Sequence, residues 1–344
     1  MLFGCKKRLQ VVVPGFKVFP HSMREAWALN LKQMGASFDW IVHREGQAER
    51  TAKKIRPESL VFLLNDHHLD DLTGYLCAQG KYGRGRDGGI WVGLATEKVV
   101  DSIFPRSEEK TRLCANLCHL VAHFDPKAGP ILLDAGAQPF FCHQYADAET
   151  FRSRLEYSSK NNGIFWAGKL RVGDFTEAYR ERALLFEGIR QTAGFVWREA
   201  ANPEKGIGHI VREKDGYKGL LNLPSNCPGF TSNFFENLAM GGCVFQHDVS
   251  SSHPEGLEPG AHYLAYRRDQ PESLREVCGR FLRDPGQYRE MARRGHEACL
   301  RAHTLKIRIR EIFAALSQGM ESWGASRVAK ELLGGVVGRA LSAP

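Results

Sequence analysis

The stretch that decides the fold is Pro228-Gly-Phe-Thr-Ser-Asn-Phe-Phe-Glu-Asn-Leu-Ala-Met-Gly-Gly242. An apolar strand is predicted immediately before it, over 219–223, and a second begins directly after it, over 243–246. Between the strands lie a loop of small residues and a short helix that ends at the paired glycines. Such a loop offers backbone N–H groups and a helix N-terminus to an anion. Glu236, placed in the first helical turn, can bind hydroxyl groups beside that anion, so the stretch predicts a sugar-nucleotide site.

The composition is that of a globular protein of ordinary domains. The 344 residues are enough for two domains, each with its own core. The hydrophobic content of 43% and the charged content of 25% are typical of soluble proteins. No apolar run approaches the roughly 18 residues of a membrane-spanning helix. The run 9–13 ends at Pro14, which predicts a first strand rather than a signal peptide.

The cysteine pattern and the net charge indicate the cellular compartment and the partners that the protein can bind. The nine cysteines are scattered without a CxxC pair, which favours a reduced, cytoplasmic setting. The net charge of +8 is compatible with an anionic substrate, a membrane surface or nucleic acid. No zinc-finger or RNA-binding aromatic signature is present, so nucleic acid is disfavoured as a partner. Peripheral contact with the inner face of the membrane stays open.

Strand and helix signals alternate along the first half. Ser22 and Glu25 form a capping box at the start of a helix over 22–35, and Gly35 suits its C-cap. Alternation of this kind predicts βαβ units and a parallel sheet, that is, an α/β class. The predicted strands of this half are 9–13, 38–42, 60–64, 89–93 and 131–133.

The pattern restarts after the polar run 156–163, the best candidate for a linker. Strands over 164–167, 220–223 and 243–246 alternate with helices over 175–194 and 234–240, and helices over 271–283, 285–302 and 304–318 follow. The predicted domains are an N-terminal Rossmann-like domain over 1–160, a C-terminal Rossmann-like domain over 161–318 and a helical tail over 319–344. Ligands of open α/β sheets bind at the carboxyl ends of the strands, so the two halves are expected to face a common cleft.

Four segments, in order, resemble one family. They are Ile164-Phe-Trp-Ala-Gly-Lys-Leu170, Phe234-Phe-Glu-Asn-Leu-Ala-Met-Gly-Gly242, Leu257-Glu-Pro-Gly-Ala-His-Tyr263, and Asp284-Pro-Gly-Gln-Tyr-Arg-Glu-Met-Ala-Arg-Arg-Gly295 followed by Ala302-His-Thr304. Together they resemble the sugar-nucleotide-dependent glycosyltransferases of the GT-B type, in particular the CgeB-like (spore-maturation-protein-like) group. The resemblance implies two Rossmann-like doubly wound domains that face each other across a cleft. It also implies a nucleotide-diphosphate sugar as donor substrate and no further cofactor.

The resemblance also implies roles for the residues of the opening stretch. Glu236 would bind the ribose hydroxyls of the donor, and the loop before it would lie against the sugar and the pyrophosphate. Pro228 stands where many retaining relatives have a second glutamate, so the stereochemistry is not assigned. Glu236 also has a structural interpretation, because Asn233 could be an N-cap that it completes as a capping box. The donor-binding residues of the loop are Gly229, Phe230, Thr231, Ser232 and Asn233.

Basic residues near two strands are candidates for the pyrophosphate. Lys169 and Arg171 follow Gly168 at the end of the predicted strand 164–167, and Lys218 adjoins the strand 220–223. The departing diphosphate carries developing charge, and a guanidinium and an ammonium suit it without a metal. The alternative is that these are ordinary solvated side chains.

His21 is the candidate catalytic base. It lies in the loop after the first strand, where a residue of a parallel α/β domain can reach a ligand, and its ordinary pKa is near neutrality. A helix-entry residue without a catalytic role is the alternative. The sequence does not distinguish the two.

Two clusters suggest a metal, but neither is favoured. His67, His68, Asp70 and Asp71 are adjacent residues that diverge in most backbones and are best interpreted as a polar loop. The other cluster is Cys114, Cys118, His119 and His123, and its one-turn spacing is better explained by a half-buried helix, since cysteine is commonly a core residue. No metal site is predicted, and no Asp-x-Asp motif or Walker loop is obvious.

The sequence therefore predicts a glycosyltransferase of the metal-independent hexosyltransferase type. It would move a sugar to a hydroxyl of a glycan, a lipid-linked sugar or a protein, in glycan or cell-surface polysaccharide synthesis. One alternative is a sugar-nucleotide epimerase or phosphorylase on the same fold. Another is a degenerate, non-catalytic member that binds a nucleotide sugar or a partner protein.

Overall fold

The structure is a computed structural model, and it describes residues 9–15, 23–64, 69–95, 106–170, 177–199, 207–225, 229–249, 253–320 and 323. Within them the chain forms two compact units. The first contains 9–15, 23–142 and the chain from residue 308, and the second contains 143–307. In the described part of the chain, each helix is too short or too polar to cross a membrane.

The first unit is built on a parallel sheet of six strands in the order β2-β1-β3-β4-β5-β6. The strands are β1 (Leu9–Pro14), β2 (Phe38–His43), β3 (Leu60–Leu64), β4 (Ile90–Ala95), β5 (Leu120–His123) and β6 (Gln138–Phe141). The helices between them are α1 (Met23–Gln33), α2 (Ala48–Ala52), α3 (Asp70–Gln79), α4 (Ser107–Leu117) and α5 (Gly129–Asp134). Every residue of β3 and β4 is buried, as in parallel sheets with helices on both faces.

The second unit is built on a parallel sheet of five strands in the order β11-β10-β9-β7-β8. Its strands are β7 (Asn161–Ala167), β8 (Phe195–Arg198), β9 (Tyr217–Asn222), β10 (Cys243–His247) and β11 (Leu264–Tyr266). The helices that follow β6 are α6 (Glu177–Ile189), α7 (Ile207–Asp215), α8 (Ser232–Ala239), α9 (Pro271–Arg283), α10 (Arg289–Ala302) and α11 (Leu305–Gly319). The predicted alternation of strands and helices is confirmed in both units, although four strands were not predicted: β5, β6, β8 and β11.

Two local predictions in the first unit have opposite outcomes. Gly35 has a φ of +70° and donates its N–H to the carbonyl of Lys32, so it ends α1 as predicted. The predicted strand over 131–133 is wrong, because these residues lie in α5 and the strand is β6. Leu132 is buried whereas Leu133 is 61% exposed, so the apolar run covers the sheet with one helix face only.

The predicted linker 156–163 and the segment 143–155 before it both belong to the second unit. Ser153 Oγ donates to Asp215 Oδ1 over 2.6 Å, and Lys160 Nζ lies 3.0 Å from the same oxygen. At the other end of the chain, Phe313 of α11 packs edge-to-face on Phe62, with ring centroids 5.6 Å apart. The units thus divide near residues 142 and 307, whereas the sequence predicted boundaries at 160 and 318. The predicted tail lies almost wholly outside the described residues.

Candidate functional site

The candidate site lies at the carboxyl edge of the second sheet. Because its five strands are parallel, their carboxyl ends meet at one edge, which is where open α/β sheets bind ligands. The residues at those ends come from distant parts of the sequence. They are Ala167, Arg198, Asn222, His247 and Tyr266.

Helix α8 begins at this edge and is capped from outside the helix. Thr231 occupies the N-cap position, but its side chain makes no capping hydrogen bond. The amide oxygen of Gln144 replaces it, accepting from Ser232 N over 2.5 Å and from Ser232 Oγ over 2.8 Å. The first turn of α8 is therefore held by a residue that is distant in sequence and that sequence reasoning missed.

The structure corrects the predicted positions of Asn233 and Glu236. Asn233 is the second residue of α8 rather than its N-cap, and Glu236 is the fifth, in the second turn. A capping box needs its glutamate three residues after the cap, so Glu236 does not complete one here. The alternative prediction, that Glu236 completes a capping box with Asn233, is therefore wrong.

A buried lysine holds Glu236 instead. Lys214 Nζ lies 3.4 Å from Glu236 Oε2 and donates to Asn233 Oδ1 over 2.7 Å. The Lys214 side chain is 4% exposed and that of Glu236 is 18% exposed. Burial lowers the pKa of Lys214, and the Glu236 carboxylate opposes this effect. Glu236 Oε1 has no hydrogen-bond partner among the described residues, so one carboxylate oxygen is oriented by Lys214 and the other is open to a ligand.

Asn222, at the end of β9, joins the strand ends to α8. Its Oδ1 accepts from Asn233 Nδ2 over 2.9 Å and from Thr231 Oγ1 over 3.3 Å. Its Nδ2 donates to Gln246 Oε1 over 2.6 Å, and its carbonyl accepts from the Tyr266 hydroxyl, also over 2.6 Å. This network fixes the start of α8 against three strands.

The turn after β7 is held in a similar way, by side chains of β8 and α6. The indole Nε1 of Trp197 donates to the Gly168 carbonyl over 3.1 Å. One guanidinium nitrogen of Arg182 donates to the Lys169 carbonyl over 3.0 Å, and its Nε donates to the Pro224 carbonyl over 2.6 Å. A Cβ at Gly168 would lie 2.4 Å from the Trp166 ring, so only glycine fits there. Arg182 thus connects the loops that follow β7 and β9.

His247 is a buried acceptor at the same edge. Its Nδ1 lies 2.8 Å from the Asp248 carbonyl, so Nδ1 carries the proton and Nε2 is a lone-pair acceptor. That Nε2 is buried and has no hydrogen-bond partner in the described part of the chain. Burial lowers the pKa of His247 to about 4, and Arg268 and Arg182 add to this effect. The imidazole is therefore neutral at physiological pH.

The other residues predicted to bind the sugar-nucleotide donor differ in where they lie relative to this edge of the sheet. Phe230 is buried in an aromatic cluster with Phe234, 4.9 Å between centroids, so only its backbone could face a ligand. Lys218 lies near the amino end of β9 and donates to Asn162 Oδ1 over 2.7 Å, which places it at the opposite edge of the sheet. The prediction for Lys218 does not fit this geometry. Three other residues of the sequence interpretation lie outside the described residues: His21, Arg171 and Pro228.

The described members of the two suspected metal clusters have other partners. Cys114 lies in α4 and Cys118 caps its end, with 3.9 Å between their sulfur atoms, while His119 Nδ1 accepts from the Trp91 N–H. Asp71 pairs with His43 over 2.6 Å, and His67 and His68 lie outside the described residues. The residues that the structure describes contain no group of three or more His, Cys, Asp or Glu placed to hold a metal ion.

Comparisons with known proteins relate this geometry to a family model. Residues 209–314, which include α7, Lys214, Asn222 and α8, match the model described as "Glycosyl transferase-like". No curated protein matches the chain.

Solved structures resemble nearly the whole chain. Sucrose-phosphate synthase from Thermosynechococcus elongatus superposes with a TM-score of 0.62 at 11% identity, over 90% of this chain and 100% of that one. HepE of Anabaena, in complex with UDP and glucose, gives 0.60 at 10% identity, over the same shares. An alpha-glucosyltransferase in complex with UDP and DNA gives 0.61 at 9% identity, over 90% of this chain and 99% of that one.

At these identities the likeness establishes the fold. The sucrose-phosphate synthase and HepE structures share their fold with 90% of this chain, whose two units each contain a parallel sheet. The predicted fold class is confirmed: the chain has the GT-B fold, and its residues 209–314 are similar to the glycosyl transferase-like family model.

Proposed function

We propose that this protein transfers a glycosyl group from a nucleotide-diphosphate sugar to a hydroxyl acceptor. The observation that carries the proposal is the carboxylate of Glu236, oriented by buried Lys214 and with Oε1 open, at the carboxyl edge of the sheet. Both residues lie in the glycosyltransferase-like segment. The structures of HepE and of the alpha-glucosyltransferase contain UDP, which supports a nucleotide donor here.

The donor would lie along the loop 229–233 and the start of α8. Glu236 Oε1 would accept hydrogen bonds from the ribose hydroxyls, because a charged acceptor binds hydroxyl donors strongly. The backbone of Gly229 and Thr231 and the positive end of α8 would lie against the sugar and the phosphates. Lys169, in the turn after β7, would offset part of the diphosphate charge.

The reaction forms one bond and breaks one. The acceptor oxygen attacks the anomeric carbon, the bond from that carbon to the diphosphate oxygen breaks, and the nucleoside diphosphate leaves with the electron pair. The acceptor proton passes to a base, for which His21 stays the candidate. Stabilising the charge that develops on the leaving diphosphate is the main electrostatic demand. We propose that basic side chains and amides meet it without a metal, and that the sugar is a hexose.

We further propose that the chain belongs to the CgeB-like group, a proposal supported by the order of its four motifs. The acceptor in this proposal is a hydroxyl of a cell-surface glycan precursor or a lipid-linked sugar. The net charge of +8 supports an anionic surface or acceptor.

The test begins with binding and continues with chemistry. Thermal unfolding is measured with UDP, GDP, ADP and their glucose conjugates, where a ligand at a hundred times its Kd adds about 2.7 kcal/mol of stability. Glu236→Gln should reduce the stabilisation to about half, because tenfold weaker binding leaves about 1.4 kcal/mol at the same ligand concentration. Glu297→Gln, at an exposed position of α10, should leave the shift unchanged. The proposal fails if no nucleotide stabilises the wild type.

Product analysis then separates the alternatives. A glycosyltransferase releases one nucleoside diphosphate for each acceptor molecule that it glycosylates. An epimerase changes the sugar of the donor without any acceptor. A binding module gives the thermal shift but releases no nucleoside diphosphate with any acceptor tested.

A further inference from the structure

Two loops of the first unit lie side by side at the amino edge of its sheet. They precede the neighbouring strands β3 and β4 and contain residues 53–58 and 80–88. The backbone N–H of Glu58 donates to the Asp87 carbonyl over 3.0 Å, and the Tyr82 hydroxyl donates to the Ala52 carbonyl over 3.4 Å. These contacts join the two loops into one surface, which we call the basic surface for the reason given below.

Buried polar groups beneath the basic surface fix the backbone of both loops. The side chain of Gln10 donates to the Lys54 carbonyl over 3.1 Å and accepts from the Arg56 N–H over 2.9 Å. In the second loop, Asp87 Oδ2 accepts from the indole Nε1 of Trp91 over 2.9 Å. The Asp87 carboxylate is therefore bonded within its own loop and forms no ion pair with the described cations around it.

The two loops carry a large excess of positive charge. Their only carboxylates are Glu58 and Asp87, against six cations, which gives a net charge of +4, half of the +8 of the whole chain. Arg84 is half-buried, and the other five cations are exposed. The six cations are Lys53, Lys54, Arg56, Lys81, Arg84 and Arg86.

Local structure accounts for part of this charge. Lys53 and Lys54 follow the end of α2, and Lys81 follows the end of α3, where a cation is favourable beside the negative end of the helix dipole. Arg84 and Arg86 lie beyond the last turn of α3, where that effect has fallen off. In the described part of the chain, none of these five cations except Lys53 forms an ion pair with a carboxylate. The basic surface is thus held in place without being neutralised.

The partner that fits this surface is one of diffuse negative charge. The Tyr82 ring packs edge-to-face on Trp91, with 6.4 Å between centroids, so it is not free to stack on the bases of a single-stranded nucleic acid. Clusters of about four to eight lysines and arginines attract anionic lipid headgroups. Four glycines with positive φ separate the cations of the second loop: Gly80, Gly83, Gly85 and Gly88.

We propose that the basic surface, residues 53–58 and 80–88, docks the protein on an anionic phospholipid membrane. The attraction is electrostatic, so it is reversible and weakened by salt. A strand of six residues such as β4 spans about 20 Å, so docking at the amino edge leaves the carboxyl edge of the same sheet uncovered. The inference goes beyond the proposed function and does not depend on it, because docking involves neither donor nor acceptor.

The experiment measures sedimentation of the full-length protein with lipid vesicles. Vesicles of phosphatidylcholine alone are compared with vesicles that contain about 30% phosphatidylglycerol, at about 0.1 M and about 0.5 M salt. The wild type should bind only the anionic vesicles and should leave them at the higher salt. The test variant is Lys54→Gln/Lys81→Gln/Arg86→Gln. Each lost charge is worth about fivefold in affinity, so this variant should bind about a hundredfold more weakly.

The matched control is Arg280→Gln/Arg283→Gln/Arg289→Gln. It removes three exposed cations from the second unit and changes the net charge of the chain by the same amount. Its affinity should stay within about threefold of that of the wild type, since salt screens charges outside the docking surface. An equal loss of affinity in the two triple variants would show general attraction of a basic protein, and it overturns the inference.

Other outcomes also overturn the inference. They are equal binding to neutral and anionic vesicles, binding that the higher salt does not weaken, and no binding to anionic vesicles. Tighter binding to duplex DNA than to anionic vesicles, with the DNA binding lost in the test variant, would assign the basic surface to nucleic acid instead. Urea unfolding checks that both triple variants are folded. If the test variant does not fold, Arg86→Gln alone decides, with an expected loss of about fivefold, and an unchanged affinity overturns the inference.

Discussion

The buried ion pair between Lys160 and Asp215 gives the sharpest stability prediction. The side chains are 1% and 8% exposed, and Lys160 also donates to the Met240 carbonyl at the end of α8 over 2.7 Å. Lys160→Met leaves the carboxylate buried without its cation. Breaking a buried pair costs about 3–5 kcal/mol. Asp215 keeps hydrogen bonds from Ser153 Oγ and Arg154 N, so the lower end, about 3 kcal/mol, is expected.

Urea unfolding monitored by tryptophan fluorescence measures this cost. With a urea slope of about 2 kcal/mol per M, the midpoint of the second unit should fall by about 1.5 M. Lys53→Met is the control, because Lys53 pairs with Glu49 at a site where both side chains are largely exposed, and the midpoint should not move. A midpoint within error of the wild type in Lys160→Met would refute the assignment of a stabilising role to the pair.

The pH dependence of the same variant provides a second check. The hydrogen bonds and Lys160 hold the pKa of Asp215 below its ordinary value despite the opposing effect of burial. A carboxylate with a lowered folded-state pKa contributes stability above its unfolded pKa of about 3.9, and this stability is lost as the pH falls through the folded pKa. The difference between wild type and Lys160→Met should therefore shrink in acid. A difference that grows below pH 4 contradicts the pairing.

Three further predictions concern the site. Glu236→Gln should weaken nucleotide binding by about tenfold. A uridine analogue without the ribose hydroxyls should bind the wild type and the variant with equal affinity. A loss of affinity that does not depend on those hydroxyls would contradict ribose binding by Glu236. Burial lowers the pKa of His247 to about 4, so the free energy of unfolding should fall as the pH drops from about 6.5 toward 4. His247→Leu should reduce this dependence of the unfolding free energy on pH, as measured in urea titrations. An unchanged pH dependence contradicts a neutral buried imidazole. His21→Ala should slow glycosyl transfer by about a hundredfold or more with unchanged nucleotide affinity, and full activity would remove His21 as the base.

Sequence patterns predicted the elements of this fold well. The apolar runs 9–13 and 60–64 are β1 and β3, and the small-residue loop does lead into α8. Each depends on local preferences, namely buried apolar strands and glycines that end helices. The run 131–133 failed because three apolar residues fit a strand or one face of a short helix equally well.

The candidate site was predicted only in part, for a physical reason. The sequence pointed to the loop 229–233 and to Glu236 because they are close together in the chain. Lys214, Asn222 and His247 were missed, since each lies in a helix or strand where its sequence neighbours give no sign of the partner it meets. Gln144 caps α8 from 88 residues away, a contact that local spacing cannot predict.

The sequence by itself determined the α/β class and the alternation of elements, and it singled out the stretch that we propose faces an anion. The tertiary structure decided which side chains surround that stretch. A parallel sheet brings the carboxyl ends of distant strands to one edge, so Asn222 meets Gln246 and Arg182 joins the loops after β7 and β9. Burial then fixes what these groups do, because a polar or charged side chain removed from water must find a partner in the fold or in a ligand.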